Sequence, residues 1–140
     1  MIKVKHIDHV AIAVADMGEA SARLSGLFSL AATPLERVAT QKTDVVFLGA
    51  PGDTAAIELI CPSGNEGLQR FLDKRGPGLH HICYEVEDIA AALDELKAAG
   101  VALIDEKPRP GARGHLVAFL HPKATGGVLF ELCQRQGDHA

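Results

Sequence analysis

A chain of 140 residues is the size of one compact domain, and with 47% of its residues apolar it can fill a core; only 4% are aromatic and none is Trp, so that core is aliphatic. The net charge of -4 and a pI near 5.9 argue against nucleic acid or an anionic membrane surface as partner. No stretch approaches the roughly 18 apolar residues of a membrane helix, and MIKVKHIDHV lacks the apolar run of a secretory signal, so a cytoplasmic protein, or one of an organelle matrix reached after leader removal, is expected.

The first element is a short strand within HIDHVAIAV, followed by Asp16 and an amphipathic helix. Asp16 is placed to cap that helix, because its carboxylate accepts from backbone N–H groups left free in the first turn. Ala20, Leu24, Leu27 and Phe28 recur at helical spacing on one face. Strands are predicted near 31–38, 44–49 and 55–61, with Pro51-Gly52-Asp53 as a turn. Residues 62–76 form a linker with a short helix around 66–74. The segment GLHHICYEVEDIAAALDEL (78–96) then repeats HIDHVAIAVADMGEASARL (6–24). His81 follows His9 by 72 positions, and the same interval relates Val14 to Val86, Asp16 to Asp88, Ala20 to Ala92 and Leu24 to Leu96. Asp88 caps a second helix carrying Ile89, Leu93 and Leu96, and Gly100 stops it. Strands are predicted near 101–105, 116–121 and 127–134, with Pro122-Lys123 and Gly126-Gly127 in the intervening turn.

The fold class expected is therefore α+β. Two βαβββ modules, about 4–61 and 77–134, make one domain over 1–140, since each sheet needs the other to close its core. Cys61, Cys83 and Cys133 are odd in number, share no CxxC spacing and lie in apolar runs, so they are expected as reduced core residues.

Strand alternation gives the direction of each side chain. Val10, Ile12 and Val14 share one face, and His9 points to the other. Ile82, Tyr84 and Val86 repeat the first set, and His81 falls with Cys83 on the second. The helices are expected on the valine–isoleucine faces, and both histidines on the opposite, concave ones. AAIELIC places Glu58 inside an apolar strand; GVLFELC does the same for Glu131, 73 positions later. A carboxylate inside an apolar strand is costly unless paired or bound to a cation. Two such glutamates and two inward histidines in a repeat share one explanation, a divalent ion held by His9, Glu58, His81 and Glu131. Imidazole and carboxylate suit Co, Zn, Ni, Mn, Fe or Mg. His6, His80, His115, His121 and His139 are read as non-ligands.

The segments IDHVAIAVADMGEA, IELICP, GLHHICYEVEDI, LIDEKPRPGARG and FLHPKATGGVLFELCQ, spanning nearly the whole chain, resemble the vicinal oxygen chelate (glyoxalase-like) superfamily. Within it the chain is similar to the methylmalonyl-CoA epimerase family. That resemblance implies the glyoxalase-like fold with a metal in the concave sheet, a homodimer, a CoA thioester substrate, and the family's four metal positions at His9, Glu58, His81 and Glu131. The implied reaction removes and returns the C2 proton of methylmalonyl-CoA through an enolate. Some members carry an additional Glu as base where this chain has Phe47, so Glu131 and Glu58 become the candidates for the two acid–base groups. Lys123 and Arg113 are candidates for contact with phosphate or carboxylate. Gly111-Ala112-Arg113-Gly114 is too short to cradle a phosphate. Two other readings stay open: a glyoxalase I-type isomerase on the same scaffold, and a metal-free binding protein of the antibiotic-sequestering type.

Overall fold

The computed structural model describes residues 1–136; His139 lies outside them. The backbone divides into two compact units, His9–His80, and Met1–Asp8 with the residues from His81 onward.

In the first unit, β1 (His6–Ala13) enters from His9 and runs parallel to β5 (Ala56–Pro62). Helix α1 (Met17–Phe28) starts at Asp16, whose side chain accepts from the backbone N–H of Glu19 at 3.0 Å. β4 (Thr43–Gly49) lies antiparallel to β5 and also pairs with β2 (Ala31–Ala32) and β3 (Glu36–Val38). The strand expected over 31–38 is thus two short pieces. Pro34 between them has no N–H to give the ladder and a fixed φ. Helix α2 (Glu66–Arg75) is capped by Asn65, which accepts from Leu68 N at 2.9 Å. Val14, Val46, Leu48 and Leu59 form the core under α1, with Ile12, Met17, Ala20 and Leu24 against them. The helix therefore covers the valine–isoleucine face, as alternation requires. Leu27 and Phe28, expected on the packed face, stand exposed instead.

The second unit repeats the plan. β6 (Gly78–Glu85) runs parallel to β9 (Phe130–Gln134), which pairs antiparallel with β8 (Leu116–Phe119), and that strand with β7 (Arg109–Pro110). Helix α3 (Ile89–Ala98) begins at Asp88, which accepts from Ala91 N at 3.0 Å, and Gly100 turns the chain out at φ 78°. Its buried face, Ile89, Ala92, Leu93 and Leu96, packs on Val86, Ala118, Leu120 and Leu132. The strand expected over 101–105 is absent: that segment makes one isolated bridge, Leu103 to Leu120. Val101 and Leu103 are spent on the α3 core, and Ile104 N and Asp105 N both donate to the single carbonyl of Phe119. Pairing resumes only at β7, where Pro108 and Pro110 flank Arg109 and keep the strand short. β9 starts three residues after Gly127, because Gly126 and Gly127 both hold positive φ and the chain is still turning there.

Met1–Asp8 are tied into this second unit by charge. Asp8, its side chain 1% exposed, receives Arg113 Nη2 at 3.1 Å and Arg135 Nη2 at 2.9 Å, while Lys5 N donates to Glu85 O. Among the described residues no helix is long and apolar enough to cross a membrane.

Candidate functional site

In the first unit His9 stands on β1 and Glu58 on the neighbouring β5. The parallel register puts Glu58 beside Ala11, two residues past His9, so both side chains leave the face that α1 does not cover. They meet there, His9 Nε2 to Glu58 Oε1 at 3.3 Å, and are 4% and 6% exposed. On the other side of Glu58, β4 places Phe47 directly opposite. The Phe47 ring meets the His9 imidazole edge to face, centroids 6.0 Å apart.

The second unit builds the same arrangement from equivalent positions. Glu131 on β9 lies beside Cys83, two residues past His81 on β6, and Phe119 on β8 lies opposite Glu131. His81 Nε2 is 3.2 Å from Glu131 Oε1, the pair is 6% and 3% exposed, and the Phe119 ring meets the imidazole at 5.1 Å. Phe119 follows Phe47 by 72 positions, the interval of the histidines. Even the bracing repeats: Phe47 N donates to Thr33 Oγ1 at 2.9 Å, and Phe119 N to Asp105 Oδ2 at 2.9 Å. The duplicated unit is thus His–Phe–Glu. Phe119 was not singled out in the sequence, although the interval from Phe47 points straight to it.

Each pair suits a divalent ion. A charge-assisted hydrogen bond between imidazolium and carboxylate settles at about 2.7–2.9 Å; both pairs are longer. Two donor atoms each about 2.1 Å from one ion, and roughly 90–105° apart, lie about 3.0–3.3 Å from each other. The donors are a neutral-capable nitrogen and a hard oxygen, both withdrawn from water, which is the chemistry a borderline divalent metal takes.

The other titratable residues do structural work. His6 Nε2 sits 2.8 Å from Glu85 Oε1. His80 packs on Phe71. Buried His115 accepts at Nδ1 from Gln136 N, and His121 Nδ1 accepts from Lys123 N. Arg113 holds Asp8, with a backbone φ of 58° that few non-glycine residues adopt. Lys123 is exposed on a turn. Gly111 has a steric duty rather than a phosphate one, since a Cβ there would lie 2.8 Å from Val117. All three cysteines are free thiols. Cys83 and Cys133 pack with Val117, and burial pushes the Cys83 thiol well above its ordinary range, so it stays protonated and apolar.

Two βαβββ units that each present a buried His–Glu pair of candidate metal ligands define a scaffold built by duplication. The sequence matches the model of the glyoxalase/bleomycin resistance protein/dioxygenase superfamily over residues 8–119. It is 40% identical to an ethylmalonyl-CoA/methylmalonyl-CoA epimerase of Cereibacter sphaeroides over 94% of this chain and 98% of that one. Its fold superposes on a methylmalonyl-CoA epimerase from Mycobacterium tuberculosis with a TM-score of 0.91, at 34% identity, over 97% of this chain and 91% of that one. A variant of the Streptomyces coelicolor methylmalonyl-CoA epimerase in complex with 2-nitronate-propionyl-CoA superposes with a TM-score of 0.89, at 26% identity, over 96% of this chain and 100% of that one. The chain belongs to the glyoxalase/bleomycin resistance/dioxygenase superfamily and, within it, to the family of the methylmalonyl-CoA epimerases.

Proposed function

We propose that the chain is a metal-dependent epimerase that interconverts the two C2 epimers of methylmalonyl-CoA. The observation that carries this is the duplicated, buried His–Phe–Glu arrangement in a member of that family. His9, Glu58, His81 and Glu131 would together hold one divalent ion, of the Co, Zn, Ni, Mn, Fe or Mg class. When bound, the ion supplies a Lewis acid for the negative charge that builds on the thioester oxygen as the C2 proton leaves.

The rest of the chemistry falls to the chain. Inversion at C2 requires a proton to leave from one face and return to the other, which calls for two acid–base groups. A duplicated site supplies similar groups twice. Phe47 and Phe119 offer no proton, so Glu58 and Glu131, directly opposite them, are the acid–base residues of their respective strands. Each phenyl ring also shields its pair from water, which strengthens electrostatic interactions there. The substrate is a CoA thioester, and the working form is a homodimer, for which sedimentation should give twice the 14.8 kDa monomer mass.

The decisive experiment follows the C2 proton of methylmalonyl-CoA in deuterated water. Metal-dependent exchange, abolished in His81→Ala, is the expected result. Metal-loaded protein that exchanges no C2 proton would sink this reading. Glu131→Gln with full metal content and undiminished exchange would remove Glu131 from its acid–base role.

A further inference from the structure

The two halves differ in charge at one register position. In the first unit the residue paired with Val45 is Glu36; in the second the residue paired with Val117 is Arg109. Val117 follows Val45 by 72 positions, so β7 is slipped by one residue relative to β3. The slip changes which residue faces the site. Cross-strand partners share a face. Val117 packs with Cys83 and Cys133, on the face of His81 and Glu131, and Arg109 therefore leaves its strand on that face too. Its nearest relative by sequence interval, Arg37, is paired instead with Asp44 and grips it at 2.7 and 3.0 Å.

Arg109 is also held where a ligand would need it. Its guanidinium lies over the Phe119 ring, 5.8 Å from the centroid, and that ring is 5.1 Å from His81. Its one carboxylate partner among the described residues is Asp105, at a long 3.4 Å, and Nε has no hydrogen-bond partner. The side chain is 35% exposed. A guanidinium has five N–H donors in a planar fork matched to an oxyanion, and most of this fork is uncommitted. Stacking on Phe119 fixes its plane without using those donors.

We propose that Arg109 is a specificity-determining residue that receives an oxyanion of the substrate beside the His81–Glu131 pair. Glu36, at the same register position of the first unit, carries the opposite charge. The two halves thereby differ in the charge they offer to an anionic thioester. The oxyanion belongs either to the malonyl carboxylate or to the phosphates of CoA. This rests on the reading of the substrate as a malonyl-type thioester.

The test compares wild type with Arg109→Gln, Arg109→Lys and, as a control, Arg37→Gln. Each is assayed for methylmalonyl-CoA epimerisation and, by calorimetry, for binding of malonyl-CoA and of malonyl-pantetheine, which lacks the nucleotide phosphates. Loss of a charged hydrogen bond raises KM and Kd by about 10- to 100-fold in Arg109→Gln. The value of kcat falls less, Arg109→Lys recovers part of the loss, and Arg37→Gln matches wild type. A loss seen with both ligands assigns the carboxylate; a loss confined to malonyl-CoA assigns the phosphates. Arg109→Gln that folds, by circular dichroism, and keeps wild-type KM and Kd for every ligand overturns the proposal while leaving the epimerase standing. Wild type that neither epimerises nor binds malonyl-CoA removes the reaction, and this role with it.

Discussion

Helices α1 and α3 occupy equivalent places in the repeat, yet α3 buries four residues and α1 none. Three of the four positions correspond in kind: Met17 to Ile89, Ala20 to Ala92, Leu24 to Leu96. The fourth does not, because Ser21 stands where Leu93 is 0% exposed. A serine in the middle of the packing stripe removes the central apolar contact, and Met17, Ala20 and Leu24 are left only partly covered. The sites behave the other way round. There the two halves keep the same residues, register and ring contacts. A duplicated scaffold thus tolerates unequal packing behind the sheet, where a few kcal/mol can be supplied elsewhere, and keeps its symmetry at the two His–Glu pairs.

The largest expected effects test that symmetry. His9→Ala and His81→Ala should each abolish stoichiometric metal binding, measured by elemental analysis, and lower C2 proton exchange by at least about 10²-fold. If only one half's variant loses the ion, the halves do not share it. Next comes packing: Leu93→Ala should cost about 3 kcal/mol in chemical denaturation, within the usual range for a buried leucine. Leu24→Ala should cost less, and equal costs would break the contrast between the helices. Gly111→Ala should destabilise by about 1–2 kcal/mol, because the added methyl meets Val117 in a packed layer; no change in midpoint would show that Val117 has room to yield.

The smallest effect is on pH dependence. The hydrogen bond from Arg37 holds the Asp44 carboxyl below the usual carboxylate range. Its folded pKa lies under its unfolded one, so this contribution is present above the unfolded value and is lost as pH falls through the folded one. Arg37→Gln should flatten the acid limb of a stability–pH profile. An unchanged limb would mean the pair is fully screened by solvent.

Much of this was legible in the sequence. One interval of 72 fixed the equivalence of the strands, helices and caps, and alternation put His9, His81, Glu58 and Glu131 on the faces their helices leave open. These are local properties: strand periodicity and capping chemistry depend on neighbours a few residues away. What the chain alone did not disclose was register. A slip of one residue in a two-residue strand reverses which side chain faces the site. It turns Arg109 inward where periodicity by 72 would have matched it to outward-facing Arg37. The same holds for Arg113, a turn cation in the sequence that the fold commits to Asp8, 105 positions away. Pairing across the sheet is settled by contacts distant in sequence, and only the tertiary structure decided which charges stand beside the duplicated His–Glu pairs.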